Sequence, residues 1–200
     1  MENFFKLRAE KQEHIINAAL HNFGKNGYKK ASIAEIAEEA GISKSMVLYY
    51  FGSKKNLYLY LGELCRDLVV EEIGKHIDNG ITDFFDKIKM ATNLKVAMMK
   101  KHLSILSFLV SMYHETDKEV LGEIEKFKES GAGFRNRMVL EDADIAKFKD
   151  DVEPELLMKF LVWAGEGIAK DFEVSDINRI DSVKDEFFAC LDLMKKYFYK

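Results

Sequence analysis

The chain has 200 residues, 48% hydrophobic and 32% charged, with a net charge of −4, one proline and 12 glycines. That length can bury a sizeable core, and the composition excludes disorder, low complexity and a sheet punctuated by Gly/Pro turns. Cys65 and Cys190 stand far apart among apolar residues, which argues against a disulfide framework or a Cys-based metal site. The abundance of Glu, Lys, Leu and Ala predicts a nearly all-α protein instead. The longest mostly apolar run, Leu103 to Tyr113, is too short to span a bilayer. Met1 to Lys6 carries no signal-peptide apolar region, so a cytoplasmic protein with no membrane partner is expected. Charge is unevenly spread. Residues 1–57 hold nine Lys/Arg against six Asp/Glu, and residues 58–200 hold 21 against 28. A basic head on an acidic body suits a polyanion at the head, although random surface variation gives differences of this size too.

In chain order, Leu7, Ile15, Ala18, Ala19, Leu20 and Phe23 give a first helix, whose stripe is expected to stop at Gly24 and Gly27. Tyr28 follows as an anchor between helices. Ser32-Ile33-Ala34-Glu35 is a capping-box pattern, opening a short helix from Ile33 to Ala40. Gly41 can reverse the chain in the left-handed conformation. Ser43 then caps a second short helix, Lys44 to Phe51, which Gly52 ends.

A fourth helix runs from Lys54 to about His76, with Leu57, Leu61, Leu64, Cys65 and Leu68 on its buried stripe. Asp78-Asn79-Gly80 reads as a turn. Phe84 to Met99 is helical, with Lys87, Lys89 and Lys95 expected to face outward. Leu103 to Tyr113, apolar nearly all round, reads as a central helix. Asp117 to about Leu140 carries a stripe through Val120, Ile124, Phe127, Phe134 and Met138. Ser130-Gly131-Ala132-Gly133 within it marks a break or a close approach. Glu141 to Val152 is a charged connection. Pro154 suits the first turn of the next helix, to Phe172, where Gly165 and Gly167 permit close backbone approach. The last helix spans about Ile177 to Phe198.

Two short helices joined by a glycine turn, with small Ala37 where they cross, form the helix-turn-helix pattern. Its logic is a second helix that stands proud enough to enter a major groove. An ordinary αα-corner fits the same spacing.

The residues Ile15-Ile16-Asn17-Ala18-Ala19, Phe23-Gly24, Gly27-Tyr28, Ser32, Ile36-Ala37, Ala40-Gly41-Ile42-Ser43, Tyr49-Tyr50-Phe51 and Lys54 to Leu57 carry more than that pattern. Over about 50 residues they resemble the N-terminal domain of the tetracycline-repressor (TetR) family of bacterial transcriptional regulators. Beyond residue 60 the resemblance is one of length and helix pattern only. Two positions depart from the family: Ser45, often Gly, and Leu48, commonly aromatic. The resemblance implies an all-α fold of about nine helices. Residues 1–53 would form a three-helix helix-turn-helix DNA-binding domain, and residues 54–200 a helical effector-binding and dimerisation domain.

The implied DNA-facing residues are Ser32, Ser43, Lys44, Ser45, Met46, Tyr49, Tyr50 and Lys54. Lys44, Ser45 and Met46 occupy the first turn of the recognition helix, where Lys44 can donate to guanine O6/N7 and Met46 can pack on a thymine methyl. In the family, positions matching Tyr49 and Lys54 usually touch the backbone. Ser32 opens a helix N-terminus, which favours a phosphate oxygen, or it is only a cap. Tyr50 is an alternative core residue.

The family's C-terminal helices commonly pair with a partner's in a four-helix bundle. Here Leu157, Leu161, Ala164, Gly165 and Ile168 on one helix, and Phe187, Leu191 and Met194 on the other, are the expected homodimer face. A small, mainly apolar effector is expected from Met98, Phe108, Met112, Phe127 and Phe134, although the same residues serve as plain core. His102, Tyr113, Trp163 and Glu166 are the candidate polar groups around it. The partners implied are thus a double-stranded DNA operator, a second copy of the chain and that effector. No nucleophile elbow, Walker loop, HExxH or metal-spaced Cys/His cluster is present in the sequence, so no catalytic residue, metal or cofactor is assigned. A helical ligand-binding or protein-interaction module without specific DNA binding, and an enzyme with an unrecognised site, remain the alternatives.

Overall fold

The computed structural model describes residues 1–76, 80–171 and 179–200, without the side chains of 76, 99, 166 and 169–171. The Asp78-Asn79 part of the expected turn, the ends assigned at Phe172 and Ile177, and the Glu166 side chain lie outside the described residues. Among the described residues, ten α-helices and one 3-10 turn follow one another: α1 (Glu2–Phe5), α2 (Ala9–Lys30), α3 (Ile33–Glu39), α4 (Lys44–Phe51), α5 (Lys54–His76), α6 (Phe84–Lys101), α7 (Leu103–Tyr113), α8 (Leu121–Leu140), the 3-10 turn (Ile145–Lys147), α9 (Pro154–Asp171) and α10 (Ile180–Phe198). The fold is all-α, and no described helix is long and apolar enough to cross a membrane.

The chain forms two compact units, residues 1–68 with 102–128, and residues 69–101 with 129–200. The first therefore includes α7 as well as the helix-turn-helix, and compactness does not follow a division after residue 53. Its core is aromatic. The Tyr58 ring meets those of Phe23 and Tyr28, both at 5.0 Å, and of Phe108 at 5.3 Å, mostly edge to face. The Tyr58 hydroxyl is buried without a hydrogen-bond partner among the described residues. Burial first, then the nearby Glu115 charge, pushes its pKa upward.

Gly24 does not end α2. It lies within the helix, where a Cβ would come 2.7 Å from Ser107 Oγ and 3.0 Å from the Phe108 amide nitrogen. The glycine is there so that α7 can approach. The break falls at Gly27 alone, at φ 69°. The Tyr28 amide just beyond it donates to Glu115 Oε2 at 2.7 Å, while Glu115 Oε1 accepts from the amides of Thr116 and Asp117, both at 2.9 Å. One carboxylate thus holds the kink of α2 against the turn after α7.

The second unit packs Phe84, Phe85 and Phe148 with Leu157, Met158, Leu161 and Leu191. Asp83 caps α6, accepting from the amides of Phe85 and Asp86 at 3.1 Å each, and its carboxylate pairs with Lys195 at 3.0 Å. Lys87 does not face outward. It is buried and donates to the Glu141 carbonyl. Backbone bonds Lys149 N–H to Phe198 O and Lys200 N–H to Lys147 O, each 2.9 Å, pair the segment after the 3-10 turn with the last residues. Helix α8 runs unbroken through Ser130 to Gly133, and nothing lies within 4 Å of a Cβ built at Gly131, Gly165 or Gly167. These glycines make no close approach to any described residue.

Candidate nucleic-acid interface

The α3–turn–α4 unit is fixed by local bonds and buried aliphatic contacts. Ile36, Ala37 and Val47 are buried, Gly41 turns the chain at φ 65°, and the Ile42 amide donates to the Ala37 carbonyl at 2.9 Å. Ser43 Oγ caps α4 by accepting from the Met46 amide at 3.3 Å, and it shares a proton with Ser45 Oγ at 2.8 Å. Ser32 Oγ caps α3 through the Ala34 amide at 3.2 Å. The reciprocal half of the capping box is made differently from the sequence expectation. Asn22 on α2 accepts from the Ser32 amide at 3.2 Å and donates to Glu35 at 3.0 Å, standing between the two. The Ser32 amide is thus already engaged, and only the half-exposed hydroxyl is left to face a phosphate.

An eight-residue helix has little more than two turns, so one face can be buried and one offered. Val47, Tyr50 and Phe51 are buried, while Lys44, Ser45, Leu48 and Tyr49 are exposed, Tyr49 at 62%. Tyr50 is a core residue, with its ring 6.2 Å from that of Phe4, and it cannot serve as a DNA contact. Met46 is half-buried against the core. Leu48 joins the outward face, which its spacing four residues after Lys44 could have shown.

Lys54 Nζ donates to the carbonyls of Lys29 at 3.3 Å and Ala31 at 3.2 Å and lies 4.6 Å from the Tyr28 ring centre. A cation at the C-terminal carbonyls of α2 complements the helix dipole and holds the start of α5 there. Two of its three protons are so used. The four-residue α1 lies outside the elements that the sequence pattern predicts. Its Phe4 is fully buried against Tyr50, Phe51 and Tyr60, and its Asn3 amide donates to the Tyr49 hydroxyl at 2.6 Å. Nothing in the sequence around Asn3 signals that bond. Asn22, a polar residue on the apolar stripe of α2, was a readable signal.

The other expected sites divide between the units. In the first, Phe108 and Met112 are core, Phe127 packs partly buried against that core, and His102 is exposed. Tyr113 accepts at its carbonyl from Lys128, 2.8 Å away, whose ammonium lies over its ring. In the second, Met98 and Phe134 are half-buried and Trp163 is 62% exposed. Of the expected dimer face, Leu157, Leu161 and Leu191 are covered by the chain itself. Ala164, Phe187 and Met194 are half-buried, and Gly165 and Ile168 are exposed. Besides Ile168, the large apolar side chains left uncovered on these helices are Leu156, Phe160 and Trp163 on α9 and Leu193 and Tyr197 on α10. They are spaced 156, 160, 163 and 193, 197, one helical face each. No cluster of three or more His, Cys, Asp or Glu fit to hold a metal occurs among the described residues.

Residues 15–61 match the family model described as bacterial regulatory proteins, tetR family. Residues 15–61 are thus a tetR-family segment. The HTH-type transcriptional dual regulator CecR of Shigella flexneri is 39% identical over 71 residues, covering 36% of this chain and 30% of that protein. The chain's matches span about half or less of the length of such curated relatives. In fold the likeness extends further. A TetR family transcriptional regulator from Chloroflexus aurantiacus superposes with a TM-score of 0.75 at 18% identity, over 100% of this chain and 98% of that one. The transcriptional regulator FadR of Bacillus subtilis, solved in complex with stearoyl-CoA, gives 0.60 at 16% identity, over 88% and 97%. The match to the family model ends within the first turns of α5, and beyond it the likeness is one of fold alone.

Proposed function

We propose that the chain is a cytoplasmic, DNA-binding transcriptional regulator of the repressor type. It binds a near-palindromic operator as a homodimer and is released by a small, mainly apolar effector. The observation that carries this reading is the outward face of α4: Lys44, Ser45, Leu48 and Tyr49 stand exposed on a helix capped by Ser43 and seated on Val47, Tyr50 and Phe51. Lys44 and Ser45 supply donors at base-edge reach, and Leu48 an apolar contact for a thymine methyl. Tyr49 and the remaining proton of Lys54 are placed for phosphates, which position without reading sequence. In this reading two heads about 34 Å apart meet successive major grooves.

The second copy docks on the uncovered face of Leu156, Phe160, Trp163, Leu193 and Tyr197, with Gly167 admitting its backbone. Trp163 belongs to that face rather than to an effector site. The apolar effector is supported by the Met98 and Phe134 side chains of the second unit, and by the stearoyl-CoA bound to the B. subtilis neighbour of like fold. Effector and operator are then coupled by about 1–3 kcal/mol, which is about 5- to 150-fold in affinity.

The test is selection of duplexes from a random pool by the wild-type protein, followed by footprinting. An inverted repeat protected on one face of the helix is expected. Retention of no duplex above a Lys44→Glu/Tyr49→Phe control overturns the reading. Titration of the selected duplex with and without stearoyl-CoA and palmitate then tests the effector class. Binding of either lipid with identical affinity in both titrations removes it as an inducer.

A further inference from the structure

The segment before α2 is built into the head. Phe4 is fully buried, with its ring 4.8 Å from Phe51 and 5.8 Å from Tyr60. The turn that follows is tied down as well. The Leu7 amide donates to the Phe4 carbonyl at 3.0 Å, and Gln12 Nε2 donates to the Leu7 carbonyl at 2.8 Å. Asn3 is thus held from its C-terminal side by a core anchor and a braced turn. From there its Nδ2 donates to the Tyr49 hydroxyl at 2.6 Å, on a side chain 62% exposed.

That bond decides what Tyr49 can offer. A phenol carries one proton and an accepting oxygen. With the oxygen taken by the Asn3 amide, the outward offer is the proton. Accepting a hydrogen bond also strengthens the donation that follows it in the chain. A group that only donates suits a partner that only accepts, and a phosphodiester oxygen has no proton to give. Tyr49 lies a full turn after Lys44, beyond the first turn that reaches base edges, where backbone oxygens are met.

We propose that Asn3 is a positioning residue for DNA binding, fixing the Tyr49 hydroxyl as a donor to one phosphate oxygen of the duplex. This rests on the reading of the chain as a DNA-binding regulator. The N-terminal segment is accordingly part of the DNA-binding surface through a residue that need not touch DNA itself.

The test compares wild type with Asn3→Ala, Asn3→Asp, Tyr49→Phe and the double variant Asn3→Ala/Tyr49→Phe. Fluorescence anisotropy is read on a labelled duplex of about three helical turns selected by the wild type, and on an unselected duplex of the same length. Asn3→Ala and Tyr49→Phe should each weaken binding about tenfold per subunit, on both duplexes alike. The double variant should bind no more weakly than Tyr49→Phe. Asn3→Asp should bind more weakly than Asn3→Ala, because its carboxylate takes the phenol proton and faces the phosphate with like charge. Melting temperatures of the Asn3 variants should match wild type, since the bond is exposed.

Wild-type affinity in Asn3→Ala overturns the proposal. So does a loss that persists undiminished in the Tyr49→Phe background, a loss confined to the selected duplex, or a lowered melting temperature that accounts for it. Failure of the wild type itself to bind either duplex is the separate outcome that overturns the regulator reading, and this proposal with it.

Discussion

Replacing Gly24 by alanine sets two effects of opposite sign against each other. In an unencumbered helix interior the change stabilises by about 1 kcal/mol, because alanine restricts the unfolded chain and glycine does not. At position 24 the new methyl would lie 2.7 Å from Ser107 Oγ, 3.0 Å from Ser107 Cβ and 3.0 Å from the Phe108 nitrogen. The hydroxyl can rotate away, but the nitrogen belongs to the backbone of α7. That helix is itself tied to α2 by Ser111 Oγ donating to the Phe23 carbonyl at 3.2 Å. Forcing a methylene into such a contact costs about 1–3 kcal/mol. Over nearly all of that range the clash outweighs the propensity gain, and the expected result is a net loss of up to about 2 kcal/mol. For a chain of this size that lowers the melting temperature by several degrees, at about 2–4 °C per kcal/mol. Urea unfolding followed by far-UV circular dichroism reads it directly. Tryptophan fluorescence reports elsewhere, since the single tryptophan, Trp163, lies in the second unit. Ser107→Ala in the Gly24→Ala background should recover at least about 0.5 kcal/mol more than Ser107→Ala costs in the wild type. A Gly24→Ala protein more stable than wild type would refute the close approach of α2 and α7.

Lys54→Ala should lower the melting temperature, by freeing the carbonyls of Lys29 and Ala31, and should also reduce the salt slope of DNA binding by about one unit per subunit; an unchanged slope assigns Lys54 to structure alone. Phe160→Asp with Trp163→Asp should turn a dimer into a monomer in sedimentation at micromolar concentration while leaving the helical circular dichroism intact; a wild-type monomer there refutes the proposed face. Tyr58→Phe should stabilise by about 1 kcal/mol, since it deletes a buried hydroxyl with no partner among the described residues; a loss of stability in urea would show that the hydroxyl is satisfied. At Asp83, burial opposes the charged form, but the bonds from Lys195 and the Asp86 amide and the charges of Lys195 and Lys147 outweigh it and hold the carboxyl below its ordinary 3.8. A depressed folded-state pKa contributes stability above the unfolded value that is lost as pH falls through the folded one. Asp83→Asn should therefore be less stable at neutral pH and show a shallower fall in acid titrations; parallel acid profiles would refute the role.

What the sequence disclosed was what is decided within a few residues. Ser32 and Ser43 cap their helices as their positions require, and Gly41, Gly52 and the bounds of α4 and α5 follow from local chemistry. What it withheld depends on partners far along the chain. Gly24 reads as a stop because a helix-ending glycine and a close-packed one look alike until α7 is in place. Tyr49 and Tyr50 are neighbours in so short a helix that periodicity does not choose which is buried, and the seat of Phe4 decides it. Helix α9 is apolar on two faces. Its Leu157 and Leu161 were the natural choice for a partner surface, yet the unit's own core takes them and leaves Leu156, Phe160 and Trp163 outside.

The discontinuity of the first unit has a consequence for synthesis on the ribosome. Phe108, Met112, Val120 and Ile124 share one core with Phe23, Tyr58 and Leu61, and Glu115 holds the amide of Tyr28. Those contacts span some 50 to 90 positions, a separation that slows folding by the entropy of closing the loop. A nascent chain that has exposed only the helix-turn-helix therefore lacks the α7 side of its core. The core that α2 and α5 share with α7 is complete only once the chain as far as Ile124 has left the exit tunnel.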